Sequence, residues 1–252
     1  MKIKACYELV VYYAIFALLL PLLLLQAVWV RLTIIKLPEA TGERTGNSGK
    51  NNAIKLLILG DSAAAGVGVN QQKQALAGQL PLLLTKQHPI NWQLIASSEL
   101  ALLPAQKFDL VLISVGVNDV THFTRQAQWT ENINTLITIL SSKFSADKVL
   151  FSSVPPMHLF TALPQPLRWW LGLRATKLNT LMAAVLANQH QGANNKCSVL
   201  TVDIPFNPEF LATDGMHPST LAYNVWAKQA AEQFSILLTA NEHKNERQSQ
   251  LK

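Results

Sequence analysis

Five short apolar runs, interleaved with four helical patterns, constrain this chain more than any other feature of it. Ile54 to Leu59, Trp92 to Ala96, Leu110 to Val115, Val149 to Val154 and Val199 to Val202 are strand-length, rich in β-branched residues and apolar without alternation. A strand that is apolar on both faces must be covered on both faces, which is the condition of a parallel sheet held between two helical layers. The covering helices show as repeats at three and four: Leu76/Leu80/Leu83/Leu84, Ile133/Leu136/Ile137/Leu140, Leu178/Leu181/Met182/Val185 and Leu221/Val225/Phe234/Leu237. Strand followed by helix, repeated along the chain, predicts an α/β three-layer sandwich with a five-stranded parallel sheet over residues 54–240. Pro81, inside the first helical pattern, predicts a kink or an early end there.

Ahead of this domain, about 22 residues between Glu8 and Arg31 carry no charge. As a helix they would reach roughly 33 Å, enough to cross a bilayer. The run exceeds the apolar part of a signal peptide and no small-residue cleavage site follows Val30. Residues 1–36 therefore read as a retained, single-pass transmembrane anchor with its flanks. Pro21 would kink it, and Tyr12, Tyr13 and Trp29 lie toward its ends, where aromatic rings favour the interface. Residues 37–53 turn to Pro, Gly, Thr, Ser, Asn and mixed charge and read as a flexible linker, and residues 241–252 as a polar, solvated tail. Lys2 and Lys4 precede the apolar run while Arg31, Lys36, Arg44 and Lys50 follow it, which leans slightly toward a folded domain on the cytoplasmic side.

Composition narrows the function classes. With 49% apolar and only 14% charged residues, the chain is neither disordered, nor a coiled coil, nor a coat for nucleic acid. Its net charge of +6 is scattered, which suits solubility or an anionic membrane better than DNA. Cys6 and Cys197 make neither a disulfide framework nor a zinc site, and Cys197 reads as a small buried hydrophobe. His88, His122, His158, His190 and His243 show no paired ligand spacing, so no metal is expected. The glycines after the first strand lack both the Gly-Lys-Ser/Thr ending of a phosphate loop and the spacing of a dinucleotide fingerprint, so no nucleotide cofactor is expected either.

Open parallel sheets bind ligands at the carboxyl ends of their strands. Three segments fall there: Gly60-Asp61-Ser62-Ala63-Ala64-Ala65-Gly66-Val67-Gly68, Gly116-Val117-Asn118-Asp119, and Asp214-Gly215-Met216-His217-Pro218 before the last helix. Each alone is explained by helix capping or by an ordinary first helical residue. Together they bring a hydroxyl, an amide, an imidazole and a carboxylate to one sheet edge. Ser62, expected to open a helix, would point its N–H at developing negative charge. A serine hydroxyl needs a base, and His217 is the natural one, with Asp214 three residues earlier able to fix its tautomer. Asn118 would aim its side-chain amide at an oxyanion. Asp61 would only organise the loop, because a carboxylate there opposes the charge that forms.

This combination resembles the SGNH, or GDSL, hydrolase family over roughly Ile54 to Leu238: a Gly-Asp-Ser block, a Gly-x-Asn-Asp block and an Asp-x-x-His block in order. The resemblance implies a flavodoxin-like SGNH hydrolase fold, catalytic Ser62, His217 and Asp214, and an oxyanion hole made by Ser62, Asn118 and a backbone donor near Ser98. It requires no cofactor. The glycine that the family's second block carries is absent from Ala96-Ser97-Ser98-Glu99, which puts the loop geometry there in question rather than the chemistry.

Pro155 to Trp170 is too apolar and proline-broken for a surface loop, and its side chains would either complete the core or wall a site for an acyl chain or lipid, with Trp169 and Trp170 as candidate substrate contacts. The resulting expectation is a membrane-held serine esterase, lysophospholipase-like, that takes small-molecule or lipid esters and binds no nucleic acid. A carbohydrate O-acetylesterase is the alternative within the reaction class, and a non-catalytic binding module of the same fold the alternative outside it. Oligomeric state is not legible.

Overall fold

The structure is a computed structural model that describes the backbone of residues 2–96, 100, 103–189, 197–205 and 207–250, with side chains described from 17 to 239 within those ranges. Its elements in chain order are α1 (Lys2–Thr33), β1 (Thr45–Gly46), β2 (Ile54–Gly60), α2 (Leu76–Leu84), β3 (Ile90–Ile95), β4 (Leu110–Ser114), α3 (Val117–Thr121), α4 (Gln126–Ser142), β5 (Lys148–Ser152), α5 (Leu167–Gln189), β6 (Cys197–Leu200) and α6 (Thr220–Gln250). The sheet has six strands in the order β1-β3-β2-β4-β5-β6. The five expected strands are all present and all parallel to one another. The sixth, β1, is a two-residue antiparallel addition to β3, too short to show as a hydrophobic pattern.

Alternate residues of each strand feed opposite layers, as a pleat requires. Leu57, Leu59, Val111, Ile113, Val149 and Phe151 pack under α3, α4 and α5. Leu56, Ile58, Leu110, Leu112 and Leu150 pack under α2 and α6 with Tyr223, Trp226 and Phe234. β4 is buried at every position, which is why its sequence shows no alternation. α2 runs through Pro81 and ends three residues later at Leu84.

Two readings of the N-terminal region change. Residues 37–53, read as a free linker, lie against the domain. Ala40 N–H donates to the Ala65 carbonyl at 3.3 Å, Thr41 N–H to Asn70 at 3.0 Å, and the Gln72 side chain donates to the carbonyls of Ala40 and Ala65. The small, polar composition of this strap lets its backbone approach closely, and hydrogen bonds together with burial of Ala40 attach it. Among the described residues no helix is long and apolar enough to cross a membrane. Part of the run read as a transmembrane span, residues 9–16, lies outside the described side chains, and the rest is partly occupied by the domain: Leu23 of α1 is buried in the core beneath α5.

The strap yields a direct test. A chain starting at Pro38 and one starting at Ile54 both lack α1, but only the second lacks the strap. The Ile54 chain is expected to melt about 5–15 °C below the Pro38 chain, as loss of a few kcal/mol implies for a domain of this size. Equal melting temperatures in scanning calorimetry would show that the strap contributes nothing.

Candidate active site

The three sequence blocks meet at the carboxyl edge of the sheet. Gly60 ends β2 where a Cβ would lie 2.4 Å from the Ser114 carbonyl oxygen, so only glycine lets β2 run this close to β4. The chain then turns instead of opening a helix. Ala65 N–H returns to the Asp61 carbonyl at 2.9 Å, Val67 N–H to Ser62 at 3.0 Å, and the next α-helix starts only at Leu76. The expected helix dipole behind Ser62 is therefore absent, and the turn must be held by other means. Buried Tyr223 supplies them: its hydroxyl sits between the carbonyls of Ala63 (2.9 Å) and Val67 (2.7 Å). Burial raises the Tyr223 phenol above its ordinary value, so it stays a neutral donor there.

Ser62 Oγ and His217 Nε2 are 2.9 Å apart, and His217 Nδ1 is 2.5 Å from Asp214 Oδ2. Asp214 is buried, and its other oxygen accepts the backbone N–H groups of Met216 and His217, both at 3.0 Å. Burial would raise this carboxyl, but the His217 ring and the two backbone donors together hold it below its usual value. An ionised Asp214 takes the Nδ1 proton as its partner, which leaves Nε2 as the acceptor for the Ser62 hydroxyl. The loop carrying both residues is a small hairpin, closed by Ala212 N–H to the His217 carbonyl at 2.8 Å and turned at Gly215, whose φ is +67°. Gly68 lets this hairpin approach: its φ is +105°, and a Cβ would lie 2.4 Å from the Pro218 carbonyl oxygen.

Asn118 stands in the first turn of α3, after Gly116 with φ +120°, and lines the same cleft as Ser62. Among the described residues neither the Asn118 side chain nor the Ser62 N–H donates to another group, so both are available to an oxyanion. The expected backbone donor near Ser98 falls outside the described residues. Asp61 lies beside the site with its carboxyl accepting the Ala63 N–H at 3.2 Å. Burial pushes that carboxyl up, against the lowering pull of Ala63 and His217.

The cleft has a volume of about 200 Å³ and is walled by Val117, Pro156, Phe160, Val202, Ile204 and Phe210, with Trp226 on its inner side. The Trp226 indole N–H is tied to Ser152 Oγ at 3.1 Å. The apolar loop after β5 thus contributes through its prolines and Phe160. Trp169 and Trp170, expected to contact substrate, do not line the cleft; Trp170 is packed in the core and Trp169 faces outward. They follow the loop in the first turn of α5, and helical geometry sends them away from the sheet edge. The wall after β6 was not anticipated, since Ile204, Pro205 and Phe210 follow no strand or helix period.

A parallel α/β sandwich with a hydrogen-bonded Ser-His-Asp chain opening into an apolar cleft defines an ester hydrolase. The chain belongs to the GDSL-like lipase/acylhydrolase family, whose family model matches residues 58–225. Among solved structures it is similar to the family 3 carbohydrate esterase of Clostridium thermocellum, with TM-score 0.55 and 15% identity over 75% of this chain and 99% of that one. A member of the lipolytic protein G-D-S-L family from Veillonella parvula gives TM-score 0.54 and 13% identity over 73% and 99% of the two chains. The psychrotrophic esterase EstA from Pseudoalteromonas sp. gives 0.51 and 19% over 73% and 98%. At these identities the likeness is one of fold. No curated protein matches the chain.

Proposed function

We propose that the protein hydrolyses lipid-like carboxylic esters, lysophospholipase-like, through an acyl-enzyme on Ser62. The reading is carried by the hydroxyl of Ser62, poised on His217 at 2.9 Å, opening into a cleft with apolar walls. Ser62 Oγ attacks the ester carbonyl while its proton passes to His217 Nε2. The ester C–O bond then breaks, and His217 returns the proton to the leaving alcohol. Water enters, gives a proton to His217 and attacks the acyl carbon; the acid leaves and Ser62 recovers its proton. The Ser62 N–H and the Asn118 amide would stabilise the oxyanion of both tetrahedral intermediates. The acyl chain lies along Phe160, Val202, Ile204 and Phe210, and the protein works at a membrane to which its N-terminal helix holds it.

A chain-length series of p-nitrophenyl esters tests this, run with wild type and Ser62→Ala. Each CH₂ that leaves water for the cleft should raise kcat/KM roughly fourfold, from about 0.8 kcal/mol per methylene, until the cleft is full. Hexanoate and octanoate should therefore exceed acetate by tenfold or more. The sugar reading predicts the reverse, with acetate preferred and acetylated saccharides turned over faster still. A reverse order of that kind would overturn the lipid-like assignment while leaving the serine mechanism standing.

A further inference from the structure

The described half of α1 has two faces, and only one belongs to the domain. Leu19, Leu23, Ala27 and Val30 turn toward the core beneath α5. On the same side the polar Gln26 grips the start of α5: its Nε2 donates to the Gln165 carbonyl at 2.6 Å, and its Oε1 accepts the Leu167 N–H at 3.0 Å. That N–H is one of the donors a helix leaves unpaired in its first turn, so Gln26 acts as a cap supplied by another helix. The opposite face is bare. Leu18, Leu25 and Leu32 repeat at seven and are 81%, 69% and 80% exposed, with Leu22 and Trp29 exposed between them. Leaving such side chains in water forfeits about 1.5–3 kcal/mol each relative to burial.

Length decides how this face can meet lipid. The docked stretch, Leu19 to Val30, covers roughly 17 Å, and the uncharged residues that precede it in the sequence, Leu9 to Leu18, would add only about 15 Å as a helix, half the thickness of a bilayer core. For the whole uncharged run to cross, its docked part would have to carry Gln165, Arg168 and the first turn of α5 into hydrocarbon. Polar groups there cost several kcal/mol each unless paired.

We propose that α1 lies in the plane of the membrane surface, docked on the domain by one face and set into lipid by the other. Trp169, in the first turn of α5, is exposed close to the dock, its backbone N–H donating to the side chain of the Gln165 that Gln26 grips. The occupant is an anionic bilayer. Cations stand at both ends of the helix, Lys2 and Lys4 before the run and Arg31 and Lys36 after it. Pairing with a second copy, parallel or antiparallel, would set like charges together, whereas anionic headgroups meet all four. The gripped residues Gln165 and Leu167 end the same loop whose Pro156 and Phe160 wall the cleft, so the surface that meets lipid is joined to the acyl wall by a few residues. This placement is independent of the catalytic assignment.

The test uses the full chain with one protease-cleavable tag before Met1 and a different one after Lys252, bound to sealed vesicles of mixed neutral and anionic phospholipid. The chain is expected to float with the vesicles, and proteases added outside should remove both tags from a given chain or neither. Leu25→Glu combined with Leu32→Glu, at exposed positions, should release the chain to the soluble fraction with its melting temperature unchanged. Removal of one tag only from each chain would mean that the helix spans, and the proposal falls. It falls equally if the chain stays off vesicles and migrates as a dimer, or if the double variant still floats.

Discussion

Replacing Ser62 or His217 by Ala is expected to lower ester hydrolysis about 10⁴-fold or more, with the fold intact. Neither side chain bears on the core: Ser62 and His217 both line the cleft and are partly exposed, so their loss removes chemistry rather than packing. The two act as one unit through a single 2.9 Å hydrogen bond, so the double variant should be no slower than the worse single one. Asp214→Asn tests the third member. The amide that replaces Oδ1 and Oδ2 cannot accept from Met216, His217 and the ring together as the carboxylate does, and an N–H₂ facing Nδ1 favours the tautomer that puts the proton on Nε2. A base with its proton on the wrong nitrogen cannot take one from Ser62. The measurement is kcat/KM on p-nitrophenyl hexanoate, together with labelling by a fluorophosphonate, which should stop in Ser62→Ala. Full activity in pure Ser62→Ala protein would remove Ser62 as the nucleophile.

Parallel strands were the legible part of this chain because burial on both faces leaves runs that are mostly apolar, and the two core layers divide those runs residue by residue. Leu56, Ile58, Leu110 and Leu112 serve one layer, and Leu57, Leu59, Val111 and Ile113 the other. The blocks that carry Ser62, Asn118, Asp214 and His217 were legible for a related reason. Strand ends fix where loops start, and parallel topology sends those loops to one edge. What was not legible depends on contacts between segments remote in sequence. The Ser62 turn looks like a helix start until Tyr223, from 160 residues away, is seen holding its carbonyls. The strap over residues 40–46 is attached by backbone hydrogen bonds, which any polar sequence can make. Gln26 is one amide in an apolar run, and only its partners at Gln165 and Leu167 turn it from an interruption into a dock. Trp169 and Trp170 read as cleft residues because they end the apolar segment that follows a strand's carboxyl end, yet their direction is set by the first turn of α5.

Asn118→Ala is expected to lower kcat about 10²–10³-fold on the same ester while KM changes little. The residue lines the cleft beside Ser62, on a five-residue helix started by Gly116, whose φ of +120° turns the chain sharply out of β4. Gly116 also has no room for a Cβ, which would lie 2.5 Å from Val154, so the turn that presents Asn118 is fixed by packing as well as by backbone angle. The turn fixes where the Asn118 backbone enters the cleft, and its side-chain amide, with no partner among the described residues, is free to donate when negative charge appears on the substrate oxygen. That charge exists only along the reaction path, and the loss should therefore fall on kcat rather than on ground-state binding. Asn118→Asp should be slower than the Ala variant, since a carboxylate of nearly the same shape puts negative charge where the oxyanion forms. A defect confined to KM, or an Asp variant faster than the Ala variant, would take Asn118 out of the oxyanion hole and leave the Ser62 N–H as its only donor among the described residues.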